Sequence, residues 1–268
     1  MTLQYYFSKK FLFNLKIRFL HQYWHKSTLY RFILFRSIIK AVCVHIDKNG
    51  ADSQPAVLTA LSNAIGYAFY SRVEGDIAEF GTQTGRTAVT IASNVVNYNK
   101  QFKYTEEAKR IFYFDSFEGL PQPKLLGDID SPFVQMGIWG RGGCKGLTPF
   151  EFNNFICKII NKKFFEVKVG WFKETLPTLS STQKFSVVHI DCDLYESAID
   201  ALSFLFKRAM ISNGAMILFD DWNLNHSNLN YGERRAWIEI VATHKLVYSD
   251  EGSYGMFGHK FIIHSYAE

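Results

Sequence analysis

The 268-residue sequence predicts an α/β fold, a doubly wound and mostly parallel sheet covered by helices on both faces. Three observations predict it. Short apolar runs alternate with segments of about 10–15 residues at helical spacing. The runs end in acidic residues, and a glycine-containing turn follows the first run and opens a helix.

Pro55–Tyr70 reads as a helix because Val57, Leu58, Leu61, Ala64 and Ala68 recur at helical spacing. Ile77–Phe80 is the first strand, and a helix from about Thr84 to Val96 follows it. Arg110–Phe114 is the second strand. Glu118–Gly146 is Gly-rich and irregular, and it leads into a helix over Pro149–Asn161. Phe165–Val169 and Phe185–Ile190 are the third and fourth strands. Leu194–Arg208 is a helix, Ala215–Phe219 the fifth strand, and Glu233–Thr243 a further helix. Lys245–Tyr248 and Lys260–His264 close the fold as two more strands.

Charge divides the chain. Met1–Ile46 holds eight Lys/Arg and no Asp or Glu; taking these from 30 leaves 22 basic against 25 acidic residues. The body is therefore mildly acidic, which argues against a nucleic-acid-binding face. Asp47–Gln54 is polar and marks the boundary between a basic, aromatic-rich helical segment (residues 1–50) and the main domain (51–268). The segment suits either an interfacial helix on an anionic membrane or a helical cap packed on the domain. Cys43, Cys144, Cys157 and Cys192 form no CxxC pair, so neither a disulfide framework nor a zinc site is expected. The expected compartment is the cytoplasm, with membrane association at its inner face as a second reading. A homo-oligomer is expected.

The strand ends carry the chemistry. Glu79, Asp115, Asp191 and the pair Asp220–Asp221 each close an apolar run. In a wound sheet that edge binds ligands, and ionised carboxylates there need cationic or hydrogen-bonding partners. Gly81-Thr82-Gln83-Thr84-Gly85-Arg86-Thr87 is a turn whose glycines permit close ligand approach, and Asp115 is placed to accept bonds from the ribose hydroxyls of an adenosine. Asp191, Asp220 and Asp221 form a hard oxygen set of the kind Mg²⁺ or Ca²⁺ selects. Asp193 is either a proton acceptor or the cap of the following helix.

The blocks GDIAEFGTQTGRT (75–87), FDSFEGLP (114–121), GWFKETLP (170–177), HIDCDLYES (189–197) and GAMILFDDW (214–222) resemble the macrocin O-methyltransferase family. The resemblance spans about Ser53 to His264. It implies a class I methyltransferase fold of seven strands with an antiparallel last strand. It also implies S-adenosylmethionine as methyl donor, contacted by Glu79, Gly81, Thr82, Gly85, Thr87, Asp115 and Ser116. Asp191, Asp220 and Asp221 match the family's Mg²⁺ ligands, and Asp193 matches a proposed base, so Asp191 and Asp193 are the catalytic candidates. The implied acceptor is a hydroxyl of a sugar, glycosylated natural product or glycan. Where the family often has paired glycines, this chain has Gly85-Arg86.

Several residues carry competing readings. Glu118–Gly146 is either a mobile lid or a surface loop. His189 is expected in the core and His226 in solvent. Tyr195 and Trp222 either shape the pocket or pack the core, while Trp171 is expected to anchor a loop. A nicotinamide-dependent oxidoreductase shares the wound sheet and the ribose acid but leaves the fourth- and fifth-strand acids unexplained; a non-catalytic scaffold leaves their joint presence unexplained.

Overall fold

The computed structural model describes residues 54–103 and 108–267. The basic segment, with both readings of it and the boundary at Asp47–Gln54, lies outside the described residues apart from Gln54.

One seven-stranded sheet organises the described residues. Its strands are β1 (Asp76–Phe80), β2 (Ile111–Asp115), β3 (Phe165–Val169), β4 (Phe185–Ile190), β5 (Ile211–Phe219), β6 (Val247–Tyr254) and β7 (Gly258–Ser265), in the spatial order β3-β2-β1-β4-β5-β7-β6. β1 to β5 pair in parallel, whereas β7 runs antiparallel to both β5 and β6. This is the class I methyltransferase topology that the resemblance implies. The chain order reverses at β1, between β2 and β4, which opens a crevice beyond the carboxyl ends.

The main helices are α1 (Gln54–Tyr70), α2 (Arg86–Gln101), α5 (Pro149–Ile156), α7 (Tyr195–Lys207) and α8 (Gly232–His244); short helices α3 (Leu126–Ile129), α4 (Pro132–Gln135) and α6 (Phe172–Thr175) lie between them. Strand side chains alternate between two buried layers. Ile77, Ile111, Tyr113 and Val187 pack with Leu61 and Ile65 of α1 and with Ile91 and Val95 of α2. Ala78, Phe80, Phe114, Val188 and Ile190 pack with Leu202 and Leu205 of α7 and with Trp237 of α8. Phe80 and Phe114 stack at 4.7 Å, worth roughly 0.5–1.5 kcal/mol beyond area burial.

Several observed elements depart from the sequence reading: α2 runs on to Gln101 rather than ending at Val96, and α5 ends at Ile156 rather than Asn161. β5 begins at Ile211, four residues before the expected start, because polar Ser212-Asn213-Gly214 conceals a strand whose register shifts beside β4. β6 extends to Tyr254 through Ser249–Gly252, which reads as a turn but sits on the sheet's exposed edge. The Gly-rich stretch contains α3 and α4. It also has its own small core, in which Leu120 and Trp139 pack on Leu194.

Candidate active site

The turn after β1 is fixed by backbone. The Gly81 amide donates to the Phe80-adjacent strand at Phe114 O (2.9 Å), and the Asp191 amide donates to Phe80 O (2.9 Å). Gly81 has φ +89°, and a Cβ there would lie 1.8 Å from the Asp191 carbonyl oxygen. Only glycine fits, so the turn lies directly against the end of β4.

Asp115 anchors the same turn. Its Oδ2 accepts from the Thr82 amide (2.7 Å) and hydroxyl (2.8 Å), and from the Gln83 amide (3.3 Å). Its Oδ1 accepts from the Phe117 amide (2.6 Å). A carboxylate held by four donors keeps one orientation toward the crevice. Ser116 Oγ donates to Gly119 O and accepts from the Glu118 amide, shaping the next turn.

A cavity of about 1230 Å³ opens above these strand ends. Gly81, Thr82, Thr87, Asp115 and Ser116 line one side, and Asp191, Asp193, Asp220 and Asp221 line another. Glu79 and Gly85 are not on its wall. Glu79 is fully buried one layer down, paired across the sheet with His189, whose Nδ1 lies 3.1 Å from Glu79 Oε1. Burial raises the Glu79 carboxyl, with the bonds from His189 and Thr87 opposing it. Burial lowers His189, yet Glu79, Asp191 and Asp220 outweigh it and lift the imidazole to about 9. His189 is thus the expected core residue, and His226 is exposed as expected.

The acids at β4 and β5 repel one another. Burial, then Asp220, holds Asp191 well above the usual carboxylate range; burial, then Asp193 and Glu233, does the same to Asp221. Burial raises Asp220 too, against the opposing fields of His189 and Arg86. Arg86, the residue at the departure from paired glycines, therefore places a cation beside the cluster. Burial lifts Asp193 to about 6, although bonds to Asp221 and Cys144 pull it down. Two carboxyls in a mutual hydrogen bond share one proton.

Asp193 does not cap α7. Asp128, from α3, accepts from the Tyr195 amide (2.6 Å) and the Glu196 amide (2.9 Å). Asp193 instead lines the cavity with its backbone at φ +63°, a left-handed conformation that aspartate tolerates better than most residues.

The donor set fits a hard dication in chemistry: every group is a carboxylate, and Asp220 Oδ1 is buried without a hydrogen-bond partner. Among the described residues, however, no three His, Cys, Asp or Glu side chains are gathered as ion ligands. Asp191, Asp220 and Asp221 share the wall rather than a common point.

Two site residues, Glu233 and Lys173, went unnoticed in the sequence. Glu233, buried at the start of α8, accepts from the Asp221 amide (3.0 Å) and the Cys192 amide (3.4 Å), fixing both acidic loops. An acid in a first helical turn gives no sign of this. Trp171, expected to anchor its loop, also lines the cavity, and its carbonyl accepts from the Glu174 and Thr175 amides. Lys173 bridges Glu196 (3.6 Å) and Asp200 (3.2 Å) on the same wall. Tyr195 and Trp222 are core residues: Tyr195 donates to Glu239 (2.7 Å), and Trp222 packs on Phe219 and His259.

The model of the macrocin O-methyltransferase family matches residues 55–244, a span that contains all five sequence blocks. The chain belongs to that family. Family membership decides against the oxidoreductase reading of the same wound sheet. A Streptomyces olivaceus relative, an 8-demethyl-8-(2,3-dimethoxy-alpha-L-rhamnosyl)-tetracenomycin-C 4'-O-methyltransferase, is 28% identical over 158 residues, 57% of this chain and 55% of that protein. The demethyldecarbamoylnovobiocin O-methyltransferase of Streptomyces niveus is 26% identical over 57% of this chain and 54% of its own length. The chain thus matches little more than half the length of these curated relatives. Among solved structures, the O-methyltransferase NovP superposes with a TM-score of 0.63 at 20% identity, covering 78% of this chain and 79% of that one. CalS11, a calicheamicin methyltransferase, gives 0.58 at 18% identity over 83% and 89%. These two likenesses establish the class I methyltransferase fold.

Proposed function

We propose that this family member is an O-methyltransferase that moves the methyl group of S-adenosylmethionine to a hydroxyl of a sugar, glycosylated natural product or glycan, assisted by a divalent cation such as Mg²⁺. The observation that carries this reading is a single cavity with a braced ribose acid, Asp115, at β2 and a cluster of mutually repelling acids at β4 and β5. The relative named for a rhamnosyl tetracenomycin C supports a sugar hydroxyl as acceptor.

Asp115 holds the ribose hydroxyls of the donor, and the Gly81–Gly85 turn, braced on Asp115 and Phe114, brings backbone close to it without an intervening side chain at Gly81. Asp191, Asp220 and Asp221 would hold the dication, which would supply Lewis acidity toward the acceptor hydroxyl. Asp193, on the same wall as these acids, would accept the hydroxyl proton. The Glu118–Gly146 segment excludes water from the donor. Most of the rate gain lies in positioning and fixed charge.

Titration calorimetry with S-adenosylhomocysteine and with NAD tests the donor, and methyl transfer with and without chelator tests the cation. S-adenosylhomocysteine is expected to bind and NAD not to. Asp191→Asn is expected to retain S-adenosylhomocysteine but to lose roughly 100-fold or more in turnover. Full turnover in that variant would sink the cation role, and tight NAD binding would sink the donor assignment.

A further inference from the structure

Asp193 sits at the centre of a strained turn. The Leu194 amide donates to Cys192 O (2.6 Å), closing a three-residue turn in which Asp193 has φ +63°. A γ-turn with positive φ is the rare form, and a residue other than glycine keeps it only when the surroundings hold it there. The chain before the turn is held by the sheet and by α8: the Asp191 amide donates to Phe80 O (2.9 Å) and the Cys192 amide to Glu233 Oε1 (3.4 Å).

The chain after the turn is gripped by the Glu118–Gly146 segment. Leu194 is fully buried yet belongs to neither main layer; it packs with Leu120 and Trp139 in the small separate core, with Phe133, Val134 and Leu224 around it. Among these neighbours only Leu224 comes from outside the segment. Asp128, another residue of the segment and itself buried, accepts from the Tyr195 and Glu196 amides immediately beyond Leu194 (2.6 and 2.9 Å). Trp139 is the largest member of the small core. Its ring lies 4.8 Å from that of Phe133, whose amide donates to Asn225 Oδ1 (3.0 Å) in the loop after β5. The segment is therefore tied to the loops beyond both acid-bearing strands.

A fully buried leucine stabilises by about as much as one left-handed residue costs, so this contact is large enough to hold the turn. We infer that Trp139, acting through Leu194, is a positioning residue: the docked segment keeps the strained turn closed and so keeps the Asp193 carboxyl facing the cavity. With the segment undocked, Leu194 would lose its cover and the turn would relax to negative φ. The carboxyl would then leave the cavity wall it shares with Asp191 and Asp221. The consequence for catalysis rests on reading Asp193 as the proton acceptor, whereas the clamp is read from stability and a carboxyl resonance, so the two fail separately.

The test compares variants of the full chain. Glycine relieves a positive φ and alanine does not, so the difference in melting temperature between Asp193→Gly and Asp193→Ala reports the strain with the carboxyl absent from both. Asp193→Gly is expected to melt about 2–4 °C above Asp193→Ala when Trp139 is present. The difference is expected to fall by at least about half when each is combined with Trp139→Ala. Leu120→Ala, a smaller deletion from the same core, gives the same comparison in a background closer to wild-type stability. In protein labelled with carboxyl-¹³C aspartate, the Asp193 resonance is assigned by its loss in Asp193→Asn. It is expected to move toward the exposed aspartates in Trp139→Ala and to return in Trp139→Phe, while that of Asp115, braced by its amide and hydroxyl donors, stays in place. Equal melting of the glycine and alanine variants overturns the strain. A difference that survives whole in both core variants, or an Asp193 resonance unmoved in Trp139→Ala, overturns the clamp.

Discussion

At the scale of single residues, Gly81 is the least replaceable position in the described site. A Cβ would collide with the Asp191 carbonyl, and φ +89° is itself unfavourable for any other residue. Gly81→Ala is expected to cost roughly 3 kcal/mol or more, read as a lower urea midpoint, and to abolish S-adenosylhomocysteine binding. This importance is partly legible in the sequence, since a glycine directly after a strand-ending Phe80 announces a tight turn. The partner is not legible. Asp191 lies far along the chain, and nothing local marks its carbonyl as the atom that excludes a side chain. The same holds for Glu233, an ordinary first-turn acid until α8 places it under Asp221 and Cys192.

At the scale of elements, β3 and β4 are fully legible, β3 from the strict alternation of Phe165-Glu166-Val167-Lys168-Val169 and β4 from a mostly apolar run. β5 and β6 are not, since part of each is exposed and polar and only sheet pairing makes it a strand. The cap of α7 is likewise hidden. Sequence places Asp193 beside the helix start, yet Asp128, 67 positions before Tyr195, supplies both acceptor bonds. Asp128→Ala is expected to destabilise the fold by about 1–2 kcal/mol and to accelerate amide exchange at Tyr195 and Glu196. Exchange that speeds up only elsewhere would contradict the cap.

For the whole molecule, burial gives stability a definite dependence on pH. Burial lifts Asp128 and Asp193 from 3.8 to about 6, and Glu79 keeps His189 protonated to about 9 rather than 6.5, against the opposing effect of burial. Each group binds its proton more tightly when folded. The acids therefore contribute fully below about pH 4 and lose that contribution as pH rises through 6; His189 contributes fully below about pH 6.5 and loses it through 9. Both windows have the same sign. Glu151 and Asp250 are lowered and act in the opposite direction, but they are exposed and screened. In cation-free buffer the melting temperature is expected to fall by roughly 5 °C or more between about pH 5 and pH 8. Mg²⁺ is expected to restore it at the upper end and to do little at the lower, because the cation competes with protons for the carboxylates. A flat profile by scanning calorimetry would contradict the buried-acid assignment.

The seam between Gly81 and Asp191 has a broader consequence. Backbone atoms alone set the spacing between the turn after β1 and the acidic end of β4, and the fold leaves no slack there. The opposite wall comes from a separate stretch of chain, Glu118–Gly146, that touches this seam at Gly146, where a Cβ would lie 2.0 Å from the Gln83 carbonyl oxygen. Changes in the Glu118–Gly146 wall can therefore leave the spacing between the β1 turn and the end of β4 unaltered.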